Sequence, residues 1–291
     1  MASGQTPHPP RSFAGSPDRM HRFSISPKEM LGAALRHRAL IAALVRREVV
    51  GRYKGSVIGL LWSFVNPVLM LIVYTFVFSV VFKARWTADS ESKTEFAMVL
   101  FTGLIVFNVF AECVNRAPGL ILANVTYVKK VVFPLEILPL VALGSALFHT
   151  CASLVVWLVF YLVFFGVPHW TIVLLPLMFL PLLLITLGLS WFLASLGTYV
   201  RDVGQAVGII VSVLMFLSPI FYPISALPDA ARQLLALNPL SPAIEHVRGV
   251  LVWGVLPDWI GFSSYLGLSL VVAWLGFAWF QVTRKGLADV L

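Results

Sequence analysis

Five long stretches of the chain contain no Asp, Glu, Lys or Arg, and they restrict the fold more than any other feature of the sequence. The stretches are residues 57–82, 96–111, 137–200, 203–228 and 259–283. A helix needs about 20 apolar residues to cross a bilayer, so the stretch 137–200 holds two crossings, with a turn near Gly166 and Pro168. The stretch 96–111 is short, and it reaches crossing length by continuing to about residue 116.

The sequence therefore predicts an all-α membrane protein with six transmembrane helices. The predicted spans are residues 57–82, 96–116, 137–165, 171–198, 204–222 and 260–282. Spanning strands are excluded because they would alternate in polarity. Hydrophobic residues make up 59% of the chain and charged residues 12%, whereas soluble domains carry about 25% charged residues. This composition excludes a soluble enzyme, because so few charges cannot cover a water-facing surface.

Three segments flank the spans at the start and end of the chain. Residues 1–27 lack an apolar core and are rich in Pro, Ser and Gly, which predicts a disordered cytoplasmic leader. Residues 28–56 carry a partial apolar stripe, which predicts an amphipathic interfacial helix, with a simple juxtamembrane anchor as the alternative. Residues 284–291 are predicted to form a cytoplasmic tail.

A longer connection, residues 223–258, follows span five. It contains two short helical patterns, one over Asp229–Ala236 and one that starts with Ser241 and Pro242 and runs to about Trp253. Each pattern is too short to cross, so we predict two short re-entrant helices between spans five and six. Two helices that rest on the outer leaflet are the alternative.

The basic residues are distributed unevenly around the predicted spans. Of the 21 Lys and Arg residues, 16 fall on the side that holds both termini and five on the other side. The positive-inside rule therefore places both termini in the cytoplasm. The net charge of +8 is thus explained by topology and by attraction to anionic lipid, and nucleic acid is not a predicted partner.

Several kinds of chemistry have no motif here. The chain has no Gly-Lys dipeptide, which excludes the phosphate loop of many ATP-binding proteins, and it has no H-E-x-x-H metal motif. The uncharged stretches hold no carboxylate, which argues against an ion-coupled transporter. His149 is interpreted as a helix-packing histidine rather than a proton relay, and Glu112 and Arg116 as an interfacial ion pair at i and i+4.

Aromatic side chains stand out within the predicted spans. Tyr74, Phe78 and Phe82 fall on one face of span one at i, i+4 and i+8, and a second group lies near the outer end of span five, comprising Phe216, Phe221 and Tyr222. Aromatic faces stack on sugar rings and would line a passage for a carbohydrate chain. An ordinary interfacial aromatic belt with lipid-facing Phe is the alternative.

Four motifs, in order and with fitting spacing, resemble the type-2 ABC permeases that export polysaccharides. The first is RYKGSVIGLLWSFVNP from Arg52 to Pro67, continuing through VYTFVFSVVFK to Lys83. The others are FPLEILP between spans two and three, Arg201-Asp202, and SPIFYP with the later Asn-Pro and the Glu245 to Arg248 helix. The likeness covers about residues 28–290, with residues 57–283 as the transmembrane domain, and it is greatest to O-antigen exporter permeases.

This resemblance implies a non-enzymatic permease in the bacterial inner membrane. It would form a homodimer with two separate ABC ATPase subunits, which would hold ATP and Mg, so that no cofactor or metal binds this chain. The cargo would be a polysaccharide on an undecaprenyl pyrophosphate carrier, and capsule or teichoic acid exporters are the alternatives.

The resemblance also implies roles for three groups of residues. Spans one and five would line the channel, so sugar would meet Tyr74, Phe78, Phe82, Phe216, Phe221 and Tyr222. The lipid pyrophosphate would enter at a group of cations formed by Arg46, Arg47, Arg52 and Lys54. Coupling to the ATPase would fall to Asn124, Tyr127, Lys129, Lys130 and Glu136.

Three other functions remain open at the level of sequence. A type-2 ABC permease for a small lipid or drug would differ in cargo alone. A membrane-embedded glycosyltransferase or polymerase subunit would need paired catalytic acids, and the acids in the outer connections are scattered. A structural assembly protein would not purify with an ATPase.

Overall fold

The computed structural model of the chain describes residues 25–81, 86, 93–128 and 133–290. The described residues contain helices and turns and no strand. The first helices are α1 Pro27–Arg36, α2 Arg38–Tyr53, α3 Trp62–Tyr74, α4 Lys93–Arg116, α5 Val125–Val128 and α6 Leu138–Phe164. The remaining helices are α7 Leu175–Tyr199, α8 Val203–Leu217, α9 Asp229–Ala236, α10 Leu240–Arg248 and α11 Trp259–Val290.

Five helical segments are long and apolar enough to cross a membrane. They are Gly59–Phe78, Thr94–Gly119, Leu135–Phe164, Trp170–Tyr199 and Trp259–Arg284. The predicted fifth span is shorter than expected, because α8 ends at Leu217 instead of continuing to residue 222. Ser218 adopts an extended conformation there, and Pro219 cannot donate the amide that another helical turn requires. The described chain thus has five helices of spanning length and a sixth apolar helix of 15 residues.

Two boundaries differ from those expected from the sequence. The segment predicted as one interfacial helix is divided at His37, which leaves helical geometry between α1 and α2. The predicted tail continues α11 as helix to Val290. The two short helices of the connection, α9 and α10, lie where the sequence patterns placed them.

Helix α4 forms the centre of the bundle. Of the apolar stretch in α4, 83% is buried, against 11% in the stretch Gly59–Phe78. Helices α3, α6, α7, α8 and α10 all pack against α4. The exposed faces of α3 and α8, which include Val68, Ile72 and Ile209, therefore face lipid or another protein, since apolar side chains are not stable in water.

Helices α7 and α11 cross at a pair of glycines. A Cβ atom on Gly276 would overlap the carbonyl oxygen of Gly188, and a Cβ atom on Gly188 would overlap the carbonyl oxygen of Val272. Small residues allow such close backbone approach in membrane helices. This contact fixes α11 on α7, and the site described below is built from α2, α3, α4, α6 and α8.

Candidate functional site

A polar cleft of about 560 Å³ opens between α3, α4 and α6. Its wall carries charged, amide, hydroxyl and aromatic groups. The polar wall residues are Arg52, Tyr53, Ser63, Asn66, Tyr74, Asn108, Glu112, Asn115, Arg116, His149, Thr150 and Ser153. So many polar groups between membrane-length helices indicate a water-filled or ligand-filled space, because hydrocarbon does not satisfy them.

Glu112 is the centre of an ionic cluster where α2, α4 and α6 meet. Arg52 Nη2 donates to Glu112 Oε1 at 2.7 Å, and His149 Nδ1 lies 3.1 Å from Glu112 Oε2. Arg116 Nη1 is 3.8 Å from Glu112 Oε1 and Nη2 is 2.5 Å from Glu48 Oε1. We call these five residues the Glu112 cluster. They tie together three helices that are distant in sequence.

The Glu112 cluster changes two interpretations made from sequence. The expected i, i+4 pair of Glu112 and Arg116 is present but long, and each residue has a closer partner on α2. His149 does more than pack one helix against another, because its ring contacts Glu112 and Arg52 on the cleft wall. The phenol of Tyr53 stands edge-on to His149, and partial burial raises the pKa of that phenol above its usual value, so it remains a neutral donor.

The four cations predicted at the entrance are not equivalent. Arg52 belongs to the Glu112 cluster, whereas Arg47 lines a neighbouring cavity of about 360 Å³ together with Glu48, Arg116 and Asn124. Arg46 and Lys54 are exposed on α2 and after its end. Of the four cations predicted at the entrance, Arg47 and Arg52 therefore line cavities, whereas Arg46 and Lys54 are on the exposed face of the same segment.

Three asparagines extend the polar wall away from the Glu112 cluster. Asn66 lies on α3, and Asn108 and Asn115 lie seven residues apart, on one face of α4. Between Thr94 and Val114, Asn108 is the one residue classed as exposed, in a helix that is otherwise buried or half-buried. An amide has two donors and an acceptor, so these side chains provide hydrogen-bonding groups along the cleft.

The aromatic residues of spans one and five meet at the other end of the cleft. The Phe78 ring lies 6.4 Å from Tyr74 and 5.4 Å from Phe221, and Phe221 lies 5.8 Å from Phe216. The hydroxyl of Tyr222 donates to the Phe216 carbonyl at 2.9 Å. We call these five residues the aromatic cluster. Tyr74 also lines the polar cleft, so the two regions are continuous, while Phe82 lies outside the described residues.

Arg248, at the end of α10, holds the turn after α8 in place beside the aromatic cluster. Its guanidinium donates to the carbonyls of Val99 at 3.1 Å, Pro219 at 2.5 Å and Ile220 at 2.8 Å. The same group lies 4.4 Å from the ring centre of Trp86. Arg248 thereby satisfies carbonyls that the turn after α8 leaves without helical partners.

The residues predicted to couple to an ATPase are only partly described. Asn124 donates to the Leu120 carbonyl at 2.8 Å, Tyr127 falls within α5, and Lys129 and Lys130 lie outside the described residues. The Glu136 carboxylate is buried and accepts from Arg284 Nη1 at 2.6 Å. Glu136 thus links the segment before α6 to α11 through its side chain and to Trp191 on α7 through its carbonyl.

Sequence reasoning missed Glu48, Glu112, Arg116 and His149 as members of one site. The available signal was the position of three of them at or within predicted spans, where an ionisable residue indicates function: Glu112 and Arg116 end the second span, and His149 lies inside the third. Within the described part of the chain, no three His, Cys, Asp or Glu side chains come together as a metal site would require.

Comparisons with known proteins agree with the motifs in the sequence. The family model for the ABC-2 type transporter matches residues 39–252. The O-antigen export system permease protein RfbA of Myxococcus xanthus is 31% identical over 255 residues, covering 87% of this chain and 95% of that protein. RfbA of Klebsiella pneumoniae is 26% identical over 257 residues, covering 87% and 95%. The polysialic acid transport protein KpsM of Escherichia coli is 22% identical over 250 residues, covering 85% and 94%.

Proposed function

The chain belongs to the ABC-2 type transporter family, and on that basis we propose that it is the permease of an O-antigen exporter. The cargo is a polysaccharide linked to undecaprenyl pyrophosphate, and ATP is hydrolysed on a separate ABC subunit. The protein lies in the bacterial inner membrane with both termini in the cytoplasm. The cleft with its Glu112 cluster then opens on the cytoplasmic side, and the aromatic cluster lies towards the outside.

The observation that carries this proposal is the continuity of polar cleft and aromatic cluster. Tyr74 belongs to both, so one path along α3 leads from cations through asparagine amides to stacked rings. Cations suit the pyrophosphate of the carrier. Amides and aromatic faces suit sugar hydroxyls and sugar rings. The likeness to two RfbA permeases supports O-antigen as the cargo.

The test is a triple substitution of Tyr74, Phe78 and Tyr222 by Ala. We expect surface O-antigen to fall at least about tenfold, while the permease still assembles with its ATPase. A matched triple variant replaces Phe164, Trp170 and Trp279 by Ala, because these exposed aromatics lie outside the aromatic cluster and on elements other than α3 and α8. Normal surface O-antigen in the first variant would refute the role of the aromatic cluster.

A capsular polysaccharide is the second candidate cargo, because the chain is also similar to a polysialic acid transport protein. Deletion of the gene separates the candidates. Loss of O-antigen from lipopolysaccharide, with the lipid-linked polymer retained inside the cell, supports the first. Loss of a capsule with lipopolysaccharide unchanged supports the second, and sensitivity to drugs without any glycan defect would favour a small-molecule cargo.

We also propose that two copies pair through α3 and α8. The exposed face of α8 carries Gly204, Gly208 and Ser212, four residues apart, beside Ile209 and Phe216. Small residues at this spacing allow helices to approach closely. In a chain with Cys113 and Cys151 replaced by Ser, Ser212→Cys should cross-link two copies and Val159→Cys on α6 should not. The reverse pattern would reject this interface.

A further inference from the structure

The Glu112 cluster has the chemistry of an anion site that is already filled by an anion from the protein. One carboxylate receives Arg52 on Oε1 and His149 on Oε2. These groups reach it from α2 and α6, positions 60 and 37 residues distant in sequence. Arginine forks recognise carboxylate and phosphate oxygens with the same geometry, so the cluster is suited to either kind of anion.

Glu112 does not satisfy all of the donors that surround it. Arg116 Nη1 is buried and has no hydrogen-bond acceptor among the described residues, and its 3.8 Å distance from Glu112 Oε1 is beyond hydrogen-bond length. Arg52 Nη1 faces both ring nitrogens of His149, at 3.2 and 3.4 Å, and can bond only one well. A buried donor without an acceptor is costly. A diphosphate offers more acceptor oxygens than a carboxylate and would satisfy both groups.

The position of the cluster also suits exchange of one anion for another. The cluster lies on the wall of the 560 Å³ cleft, and the side chains of Arg52 and Glu112 are 41% and 21% exposed. Because solvent reaches both Arg52 and Glu112, an anion that enters the cleft can compete with Glu112 for Arg52. The ion pair between Arg116 Nη2 and Glu48 Oε1, 2.5 Å long, does not involve Glu112.

We propose that Glu112 is a built-in substitute for the diphosphate headgroup of a lipid, and that the headgroup displaces Glu112 and binds Arg52, Arg116 and His149. This assignment deepens the proposed function, on which it rests for the class of cargo. It adds Arg116 and His149 to the binding groups and gives Glu112 a competing role. Displacement also releases Arg52, and with it one of the links that hold α2 on α4.

The experiment measures binding of farnesyl diphosphate to the permease with its ATPase subunit, in nanodiscs of neutral lipid. Glu112→Gln keeps the shape of the side chain and removes the competing charge, so the Kd should fall about tenfold, which corresponds to about 1.4 kcal/mol. Arg116→Gln should raise the Kd by a similar factor. Glu29→Gln removes the same charge from the exposed pair with Arg36 on α1 and should leave the Kd unchanged.

Two further ligands distinguish a lipid headgroup from a free anion. Farnesol has the same chain without charge and should bind weakly and equally to all variants. Inorganic pyrophosphate should follow the same order of variants at lower affinity. Equal affinity for pyrophosphate and farnesyl diphosphate would overturn the lipid assignment, and a Kd that is unchanged or higher in Glu112→Gln would overturn the competing role of Glu112.

A second variant at Glu112 distinguishes an effect of charge from an effect of misfolding. Glu112→Asp keeps the charge and shortens its reach, so its Kd should lie between those of the original chain and Glu112→Gln. A Kd for Glu112→Asp outside that interval would contradict the proposal. The function is tested separately by surface glycan: if gene loss leaves all surface glycans normal while the order of affinities holds, the proposed function fails and the diphosphate site stands.

Discussion

Two arginine sites lie at opposite ends of α4 and are built on different principles. Arg52 contacts α4 at Glu112, and Arg248 contacts it at Val99, a separation of about 20 Å along a helix that rises 1.5 Å per residue. The partners of Arg52 are the side chains of Glu112 and His149. The partners of Arg248 are mainly backbone carbonyls. Side chains can rotate away from a cation, whereas these carbonyls are fixed by the fold.

The two arginine side chains also differ in how much solvent reaches them. The side chain of Arg52 is 41% exposed and that of Arg248 is 1% exposed. A buried guanidinium is stable only while every donor has an acceptor, and removing it strands those acceptors. We therefore conclude that the Arg248 site maintains structure, and that the Glu112 cluster is the site whose partners can exchange.

The largest effect on stability is expected from Arg248→Met. Met fills much of the volume, but the carbonyls of Val99, Pro219 and Ile220 lose their donor, which should cost about 3 kcal/mol or more. SDS titration of the purified permease in mixed micelles measures the loss. Arg232→Met is the matched control, because Arg232 makes an exposed pair with Asp229. Equal stability of the two variants would remove the distinction drawn between the two ends.

A smaller loss is expected when the space around the guanidinium is reduced. A Cβ atom on Gly103 would lie 2.7 Å from Arg248 Nη2, so Gly103→Ala forces that group away from its carbonyls. We expect a loss of about 1–3 kcal/mol in the free energy of unfolding. Gly267→Ala on α11 meets nothing within 4 Å and should be neutral or stabilising. If Gly103→Ala left the free energy of unfolding unchanged, the guanidinium of Arg248 would not be held tightly between Gly103 and its carbonyl partners.

The smallest change in stability is expected for Arg52→Gln. Glu112 keeps His149 at 3.1 Å and Arg116 nearby, so the free energy of unfolding should change by less than about 1 kcal/mol. The same variant should weaken binding of farnesyl diphosphate. Arg36→Gln, which breaks the exposed pair with Glu29, is the control for both measurements. A loss as large as that of Arg248→Met would make the Glu112 cluster a structural site too.

Local patterns in the sequence predicted features that depend on near neighbours. The helical class, the long apolar helices and the two short helices α9 and α10 follow from apolar length and periodicity. The predicted cap of α10 was wrong, because the helix begins at Leu240 with Pro239, and not Ser241, as its N-cap. The shared face of Tyr74 and Phe78 follows from their spacing of four. The length of α8 did not follow, because apolar residues continue past Leu217 although the helix ends there.

Contacts between distant segments could not be predicted in this way. Periodicity gives the face on which a residue lies but not the rotation and depth at which two helices pack, so it could not pair Arg52 with Glu112 or Glu136 with Arg284. For the same reason it placed Phe221 near a span end without its stack on Phe78. The sequence by itself determined that this chain folds as membrane helices of a recognisable family. The tertiary structure decided which cations share a carboxylate and which are fixed on backbone carbonyls, because only packing brings those atoms within hydrogen-bond distance.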